Sequence, residues 1–310
     1  MNKKIQKIAV IIPCFNEEVS IGDVIKKFKK IFPKADIYVF NNNSTDNTKS
    51  EALEAGAIVR LVHSKGKGNV VRRMFADVEA DIYVMVDGDG TYEIEKTPFM
   101  LQYFLNNHLD MLVASRQTNI KSAYRPGHRF GNLIITSFIN FLFKNSSEDI
   151  LSGFRIFSKR FVKTFPAFSD GFEIEVELTI HALEMRMPIQ EIKTKYISRP
   201  EGSSSKLNTY IDGIKIFLMI IKLFKEKKPL LFFFLASILF FLISILLAVP
   251  IFMDFIATGL VPRLPTAILC SALMLLSSIM MAIGIILNDI SKNRKIINYF
   301  HYLSFDKINN

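Results

Sequence analysis

The stretch Asp87-Gly88-Asp89-Gly90 places two carboxylates two residues apart, each followed by glycine. On an extended backbone, residues i and i+2 point to the same side, so both carboxylates can converge on one point. The glycines allow a sharp exit and the close approach of a ligand. Paired carboxylates beside open backbone suit a hard divalent cation, which takes oxygen ligands and shares them with substrate phosphates. A solvated acidic turn after a strand would show the same Asp-x-Asp, so the pair gains meaning only from its surroundings.

Those surroundings repeat one pattern. Ile8 to Ile12 is a short, wholly apolar run of the kind found in a strand covered on both faces, and it breaks into the loop Pro13-Cys14-Phe15-Asn16-Glu17-Glu18. A helix follows from about Ser20 to Phe32, and Ile37 to Phe40 reads as a second strand leading into Asn41-Asn42-Asn43-Ser44-Thr45-Asp46. Thr48 to Ala55 reads as a helix, Ile58 to Val62 as a third strand, and Lys65-Gly66-Lys67-Gly68 precedes another helix. The fourth strand, Tyr83 to Val86, delivers Asp87. Strands alternating with helices indicate an open parallel sheet, and such sheets bind ligands at the carboxyl ends of their strands. All four polar loops fall at that edge.

Together, Pro13-Cys14-Phe15-Asn16-Glu17, the Asn-rich loop ending at Asp46, Gly66-Lys67-Gly68 and Asp87-Gly88-Asp89 resemble a family 2 glycosyltransferase. Ser115-Arg116, Ser152-Gly153-Phe154-Arg155 and Arg199-Pro200-Glu201-Gly202-Ser203 resemble its polyprenyl-phosphate branch, which includes dolichyl-phosphate mannosyltransferases and bactoprenol glucosyltransferases. The resemblance covers roughly residues 5 to 225 and implies a GT-A fold, a nucleotide-sugar donor, a polyprenyl phosphate acceptor, and Mg2+ or Mn2+ held at Asp87 and Asp89. It places Asp87 near the ribose, with Pro13, Phe15, Glu17, Asn42 and Asp46 around the base and ribose. The backbone of Gly66 and Gly68 would approach the nucleotide, with Lys67 supplying charge. Several relatives carry Gln where this chain has Thr91, whose hydroxyl can reach a metal-bound water.

The acceptor sets the remaining chemistry. A hydroxyl acceptor would need a general base. A lipid phosphate, with a second pKa near 6, is already largely an anionic nucleophile at neutral pH. Such an enzyme chiefly positions two anions that repel each other, a task suited to guanidinium forks. Arg116, Arg129 and Arg199 are the candidates for holding the acceptor phosphate, with Arg125 in reserve. Asp149 matches a carboxylate proposed as a base in relatives, and it could equally orient Arg155 or Arg116. Glu173, Glu175 and Glu177 alternate as on a strand face or a helix turn and receive no role.

Half of the 310 residues are hydrophobic, and much of the apolar excess lies after residue 229. Pro229 to Met253 carries no charge over about 25 residues and Leu264 to Leu287 none over about 24, each more than a bilayer crossing requires. Phe130 to Phe143 and Lys206 to Lys225 read as helices lying on the bilayer surface. The formal net charge of +10 then fits a membrane surface and phosphorylated substrates, and nucleic acid is not expected as a partner. Lysines and Arg294 flank the two spans while their connecting loop holds only Asp254 and Arg263, so both ends are expected in the cytoplasm. The N-terminus has no apolar signal-peptide core, which agrees.

The expected organisation is an α/β catalytic domain with a Rossmann-like, mostly parallel sheet over 1–205, and an amphipathic juxtamembrane helix over 206–228. Two transmembrane helices over 229–288 and a cytoplasmic tail over 289–310 complete it; a homo-oligomer is admissible. The expected reaction moves a hexose from a UDP-sugar such as UDP-glucose or UDP-N-acetylglucosamine to undecaprenyl phosphate, for cell-envelope glycosylation. GDP-mannose is the alternative donor, and a non-catalytic nucleotide-binding membrane adaptor is the alternative of another class. The absence of Trp and the two spans argue against a processive polysaccharide synthase.

Overall fold

The computed structural model describes residues 7–117, 126–143, 147–171, 173–197, 199 and 209–305, with the side chains of 126–132 and 209–217 outside that description. The β-branched runs form strands because both faces of the sheet are covered. Strands β1 (Ile8–Cys14), β2 (Asp36–Asn41), β3 (Ile58–Leu61) and β4 (Ile82–Met85) alternate with helices α1 (Ile21–Ile31), α2 (Thr48–Glu54) and α3 (Lys67–Asp77). These four strands are mutually parallel. Helix α4 (Thr97–Asn106), β5 (Met111–Gln117), α5 (Pro126–Phe143), β6 (Arg155–Ser158), α6 (Lys159–Thr164), α7 (Ile174–Glu184) and β7 (Ile189–Lys195) complete the sheet. Its order is β3-β2-β1-β4-β6-β5-β7, with β6 antiparallel to both neighbours. The expected mostly parallel α/β sheet is therefore present.

Successive residues of β4 enter opposite cores, as the two-residue period of a strand requires. Tyr83 and Met85 pack with Val70, Met74 and Phe75 of α3 and Leu178 of α7. Ile82 and Val84 pack with Val24, Ile25 and Phe28 of α1 and Phe104 of α4. Two well-filled cores hold β4 fixed, and the turn that follows it inherits that rigidity.

Helix α5 explains its all-round apolar sequence by having two apolar faces. Ile135, Ile139 and Leu142 are buried, while Leu133 and Phe141 are 63% and 76% exposed. Helix α8 (Thr209–Lys227) occupies the second stretch read as a surface helix.

The chain divides into two compact units, residues 1–216 with 298–310, and residues 217–297. The second unit contains α9 (Pro229–Thr258) and most of α10 (Leu264–Leu303), both long and apolar enough to cross a membrane. Their buried positions recur every seven residues, at Ser237, Ser244 and Ile251 on α9 and at Cys270, Ser277, Gly284 and Ser291 on α10. A seven-residue repeat made mostly of small residues, with Ile251 at one end, lets two antiparallel helices approach closely along one seam. The Ser237 and Ser277 hydroxyls lie 3.0 Å apart, and Ser244 Oγ donates to the Cys270 carbonyl at 2.9 Å. A side chain at Gly284 would collide with Phe233.

The end of α10 belongs to the first unit. There the Tyr302 hydroxyl donates to Asp110 Oδ2 at 2.7 Å, and the Arg160 guanidinium sits 4.7 Å from the Tyr302 ring centroid.

Candidate active site

The chain turns at Gly88, two residues past Val86, so Asp87 and Asp89 do not share one extended strand. The turn at Gly88-Asp89 replaces the simple i, i+2 geometry, and each carboxylate has its own partners. Ser20 Oγ donates to the Gly88 carbonyl at 2.7 Å, tying the turn to the start of α1. A Cβ at Gly88 would strike Cys14 Sγ, so only glycine fits.

Asp87 Oδ1 accepts from Lys67 Nζ at 2.5 Å, and the same ammonium lies 2.6 Å from Glu175 Oε1. The Asp87 carboxylate also lies against Gly153, where a Cβ would overlap it. Burial works to lower the Lys67 pKa, but the Asp87 and Glu175 charges outweigh it and raise the ammonium above its ordinary value. Burial pushes the Glu175 carboxyl up, with the Lys67 charge working the other way.

Asp89 Oδ1 accepts from the Thr91 hydroxyl at 2.7 Å and the Thr91 N–H at 3.2 Å. Its Oδ2 accepts from Arg199 Nη2 at 2.9 Å. Thr91 thus fixes the Asp89 rotamer. Arg199, expected at the acceptor phosphate, is brought onto Asp89 itself.

The loops after β1 and β2 are laced together. Asn16 takes φ 55° and Asn43 φ 58°, left-handed values that asparagine tolerates better than most residues. The Asn16 N–H donates to Ser44 Oγ, and Asn16 Oδ1 accepts from the Thr45 N–H, at 2.9 and 2.8 Å. Asp46 accepts from the Thr48 hydroxyl and N–H and from the Glu18 N–H. Burial works against its charge, yet these donors hold the Asp46 carboxyl below its ordinary value.

Asn42 Nδ2 donates to the carbonyls of Val62 and Ser64, and its Oδ1 accepts from the Gly66 N–H. Asn42 and Asp46 therefore brace the loops after β2 and β3 at the carboxyl edge of the sheet. The strand does not break at Pro13 as expected: Pro13 pairs with Phe40 inside β1, which runs on to Cys14 because the parallel pairing with β2 continues to Asn41, and Phe15 is 38% exposed in the loop. The Glu17 N–H donates to Thr48 Oγ1 at 2.8 Å.

Gly66 and Gly68 make a close approach within the chain itself. A Cβ at either would collide with the Ser169–Asp170 backbone, and the Gly68 N–H donates to the Asp170 carbonyl at 2.9 Å. The chain before α7 is one source of their glycine requirement, and the positive φ of Gly66 (118°) is another.

At the end of β5, Arg116 Nε and Nη2 donate to Asp149 Oδ2 and Oδ1 at 2.7 and 2.8 Å, and the Arg116 N–H adds a third bond to Oδ2 at 3.0 Å. This fork sits 5.5 Å from the Tyr196 ring centroid. Both Asp149 oxygens are engaged by Arg116, so the geometry favours orientation over proton abstraction. Arg155 is not the residue it orients. Fully buried, Arg155 donates to the carbonyls of Ile150, Ser152 and Glu175 and to Thr179 Oγ1, clamping the loop that carries Asp149 onto α7. Arg125 lies outside the described residues, and Arg129 falls in the part of α5 whose side chains are not described.

Three participants were not assigned from sequence. Glu175 reaches Lys67 from α7, and Tyr92 accepts from the Gly153 N–H at 2.9 Å, its hydroxyl pKa raised by burial. Tyr196 packs edge-on against Tyr92 at 5.6 Å. None belongs to a short motif. The alternation Glu173-Glu175-Glu177 is compatible with a strand as well as the helix that forms.

Among the described residues no cluster of three or more His, Cys, Asp or Glu could hold a metal ion. Asp87 and Asp89 supply oxygen donors only. Such a partial set fits Mg2+ or Mn2+, which bind through one or two carboxylates and complete their shell with substrate phosphates and water. It would not form a closed cage of the zinc type.

A doubly covered, mostly parallel sheet with two carboxylates at its carboxyl edge is the GT-A arrangement. The model for glycosyl transferase family 2 matches residues 9–165, and the chain belongs to that family. Glycosyltransferase AglJ of Haloferax volcanii is 33% identical over 232 residues, covering 73% of this chain and 75% of that protein. The dolichyl-phosphate hexose transferase of the same organism is 24% identical over 221 residues, covering 71% of this chain and 95% of that protein. Among solved structures, Mycobacterium tuberculosis glucosyl-3-phosphoglycerate synthase with Mn2+, UDP-glucose and phosphoglyceric acid superposes with TM-score 0.58 at 21% identity. That match covers 71% of this chain and 79% of the other, and it establishes the shared fold.

Proposed function

We propose that this enzyme transfers a hexose from a UDP-sugar, such as UDP-glucose or UDP-N-acetylglucosamine, to a polyprenyl phosphate such as undecaprenyl phosphate. The product would be a polyprenyl-phosphate-sugar for cell-envelope glycosylation. The observation that carries this reading is the Arg116–Asp149 fork at the same sheet edge as Asp87 and Asp89. A guanidinium held by a buried carboxylate is a preorganised receptor for a phosphate, and an acceptor phosphate needs no general base. The engagement of Asp149 with Arg116 suits that acceptor better than a hydroxyl.

Two further observations support it. Helix α5 exposes Leu133 and Phe141 just after the basic stretch Lys121, Arg125, His128 and Arg129, a combination suited to an anionic lipid surface. The similarity to a dolichyl-phosphate hexose transferase points to the same acceptor class, and the fold shared with an enzyme crystallised with Mn2+ and UDP-glucose points to the donor.

Asp87 and Asp89 would hold the divalent cation, which supplies Lewis-acid neutralisation of charge on the departing diphosphate. The loops braced by Asn42 and Asp46 position the nucleoside beside Pro13, Phe15 and Glu17, while Lys67 keeps Asp87 in its rotamer. Arg116 orients the acceptor, and Arg129, with Arg125 in reserve, adds charge where the lipid phosphate arrives.

The deciding experiment presents purified protein with undecaprenyl phosphate and a panel of labelled nucleotide-sugars, and counts label in the lipid extract. A UDP-hexose should give the fastest incorporation. GDP-mannose as the preferred donor would replace the donor assignment, and no lipid-linked product with any donor would overturn the acceptor.

Orientation follows from the same reading, because a nucleotide-sugar is a cytoplasmic substrate. Lys222, Lys225, Lys227 and Lys228 precede α9, and Lys292, Arg294 and Lys295 lie near the far end of α10. The packing of Tyr302 on Asp110 keeps the end of α10 with the catalytic unit. A cysteine at Thr258 should therefore react with an impermeant maleimide applied to intact cells, and one at Asn298 should react only after lysis. The reverse pattern would remove the catalytic domain from its donor.

A further inference from the structure

Lys67 stands between two carboxylates, Asp87 at 2.5 Å and Glu175 at 2.6 Å. Two anions share one ammonium, and the fully buried Arg155 guanidinium is a further positive charge that Glu175 faces. Its members come from the start of α3, the turn after β4, and the first turn of α7. Their placement is over-determined. Gly153 leaves room for Asp87, while the Glu175 carbonyl accepts from Arg155 Nη2 at 3.0 Å and from Thr179 Oγ1 at 3.2 Å.

The Glu175 side chain is only 5% exposed, and its Oε2 is buried without a hydrogen-bond partner. A buried carboxylate with an idle oxygen is a poor scaffold element, since a neutral group of the same shape would avoid its desolvation. Lys67 could hold the Asp87 rotamer without it. What Glu175 adds is charge: with Lys67 paired to Asp87 alone, the pair would be neutral and Asp87 a weak partner for a cation.

We propose that Glu175 is a positioning residue for the cation site at Asp87 and Asp89, acting through Lys67. By taking half of the ammonium's attention it leaves on Asp87 the negative charge that a divalent cation and its diphosphate require. This deepens the reading of Asp87 and Asp89 as the cation site and rests on it. Lys67 is accordingly a brace between two carboxylates first, and a nucleotide contact second.

The test is calorimetric titration of Mn2+ into the full-length protein in detergent, with UDP or GDP present, repeated at several pH values because burial raises the Glu175 carboxyl. Glu175→Gln keeps the shape and removes the charge. It should weaken Mn2+ binding by roughly tenfold or more, the scale of one charge lost at short range in a partly buried site. Its Tm should equal or exceed that of the wild type, because a carboxyl whose folded pKa is raised contributes stability below its unfolded pKa and loses it as pH rises through the folded value. Glu175→Asp should regain part of the affinity.

A scaffold role would give a lowered Tm for Glu175→Gln with unchanged Mn2+ affinity, and that result would overturn the proposal. Equal Mn2+ affinity and equal Tm would overturn it as well. Should the wild type bind no Mn2+ with either nucleotide, the cation site itself would be refuted, which separates the two failures.

Discussion

Asp89→Asn lowers turnover by about a hundred- to a thousandfold while the protein remains folded, the scale on which one preorganised electrostatic contact to developing charge acts. The argument starts from the partners of Asp89. Its Oδ1 is fixed by Thr91, which an asparagine carbonyl can accept equally well, so the turn should keep its shape. Its Oδ2 carries the charge that meets Arg199, and an amide nitrogen in that place would present a donor to a donor. The substitution thus retains the scaffold and removes the anion.

Without that charge the diphosphate would lose its cation partner at the position where charge builds up as the sugar departs. The measurement is steady-state turnover of the variant beside its thermal unfolding, with the wild type assayed in excess chelator. Turnover within a factor of three of wild type in either arm would remove Asp89 from the chemistry. Arg199→Ala separates the second partner: it should weaken donor as well as acceptor use, because Arg199 donates to Asp89, the carboxylate proposed to hold the cation of the donor diphosphate.

Much of this arrangement was legible before the fold was known. Ile8 to Ile12 and Tyr83 to Val86 can only be satisfied by burial on both faces, and that alone implied a parallel sheet with its polar loops at one edge. The unbroken apolar lengths after Pro229 likewise required two long helices. Other features were hidden because residue type is ambiguous without topology. Gly66 and Gly68 have the composition of a nucleotide-cradling loop, but the backbone that presses on them is Ser169–Asp170, about a hundred residues away. Asn42 has a ligand's chemistry, yet the carbonyls of Val62 and Ser64 reach its amide first.

Arg155 shows the same limit from the other side. In sequence it is one more arginine beside a family-like motif. In the fold it is fully buried and satisfied by three carbonyls and a hydroxyl, each unmatched group costing about 1–3 kcal/mol if the guanidinium were removed. The small-residue seam of α9 and α10 could have been read from its seven-residue spacing, a period easily lost where nearly every neighbour is apolar.

Arg116 and Asp149 carry the other large effect. Arg116→Ala should reduce kcat/KM for polyprenyl phosphate by about ten- to a hundredfold, matching roughly 1.5–3 kcal/mol for a hydrogen bond to a charged group. Nucleotide affinity should hold, because the proposed donor site lies among the loops after β1, β2 and β4. Arg116→Lys should recover only part of the loss, since an ammonium keeps the charge without the fork. Asp149→Asn is the informative partner. If Asp149 orients Arg116, as the three bonds between them indicate, the asparagine variant keeps the cation but loosens its aim. Its defect should then be smaller than that of Arg116→Ala and of the same kind, a raised KM for the lipid. In the double variant the two losses should fall short of additive, as expected for residues acting as one unit. A general base would behave differently: Asp149→Asn would then cost kcat more heavily than Arg116→Ala, with little change in lipid KM. Acceptor titrations of the three variants beside nucleotide binding decide between these outcomes, and a dominant kcat defect in Asp149→Asn would return the acceptor question to a hydroxyl.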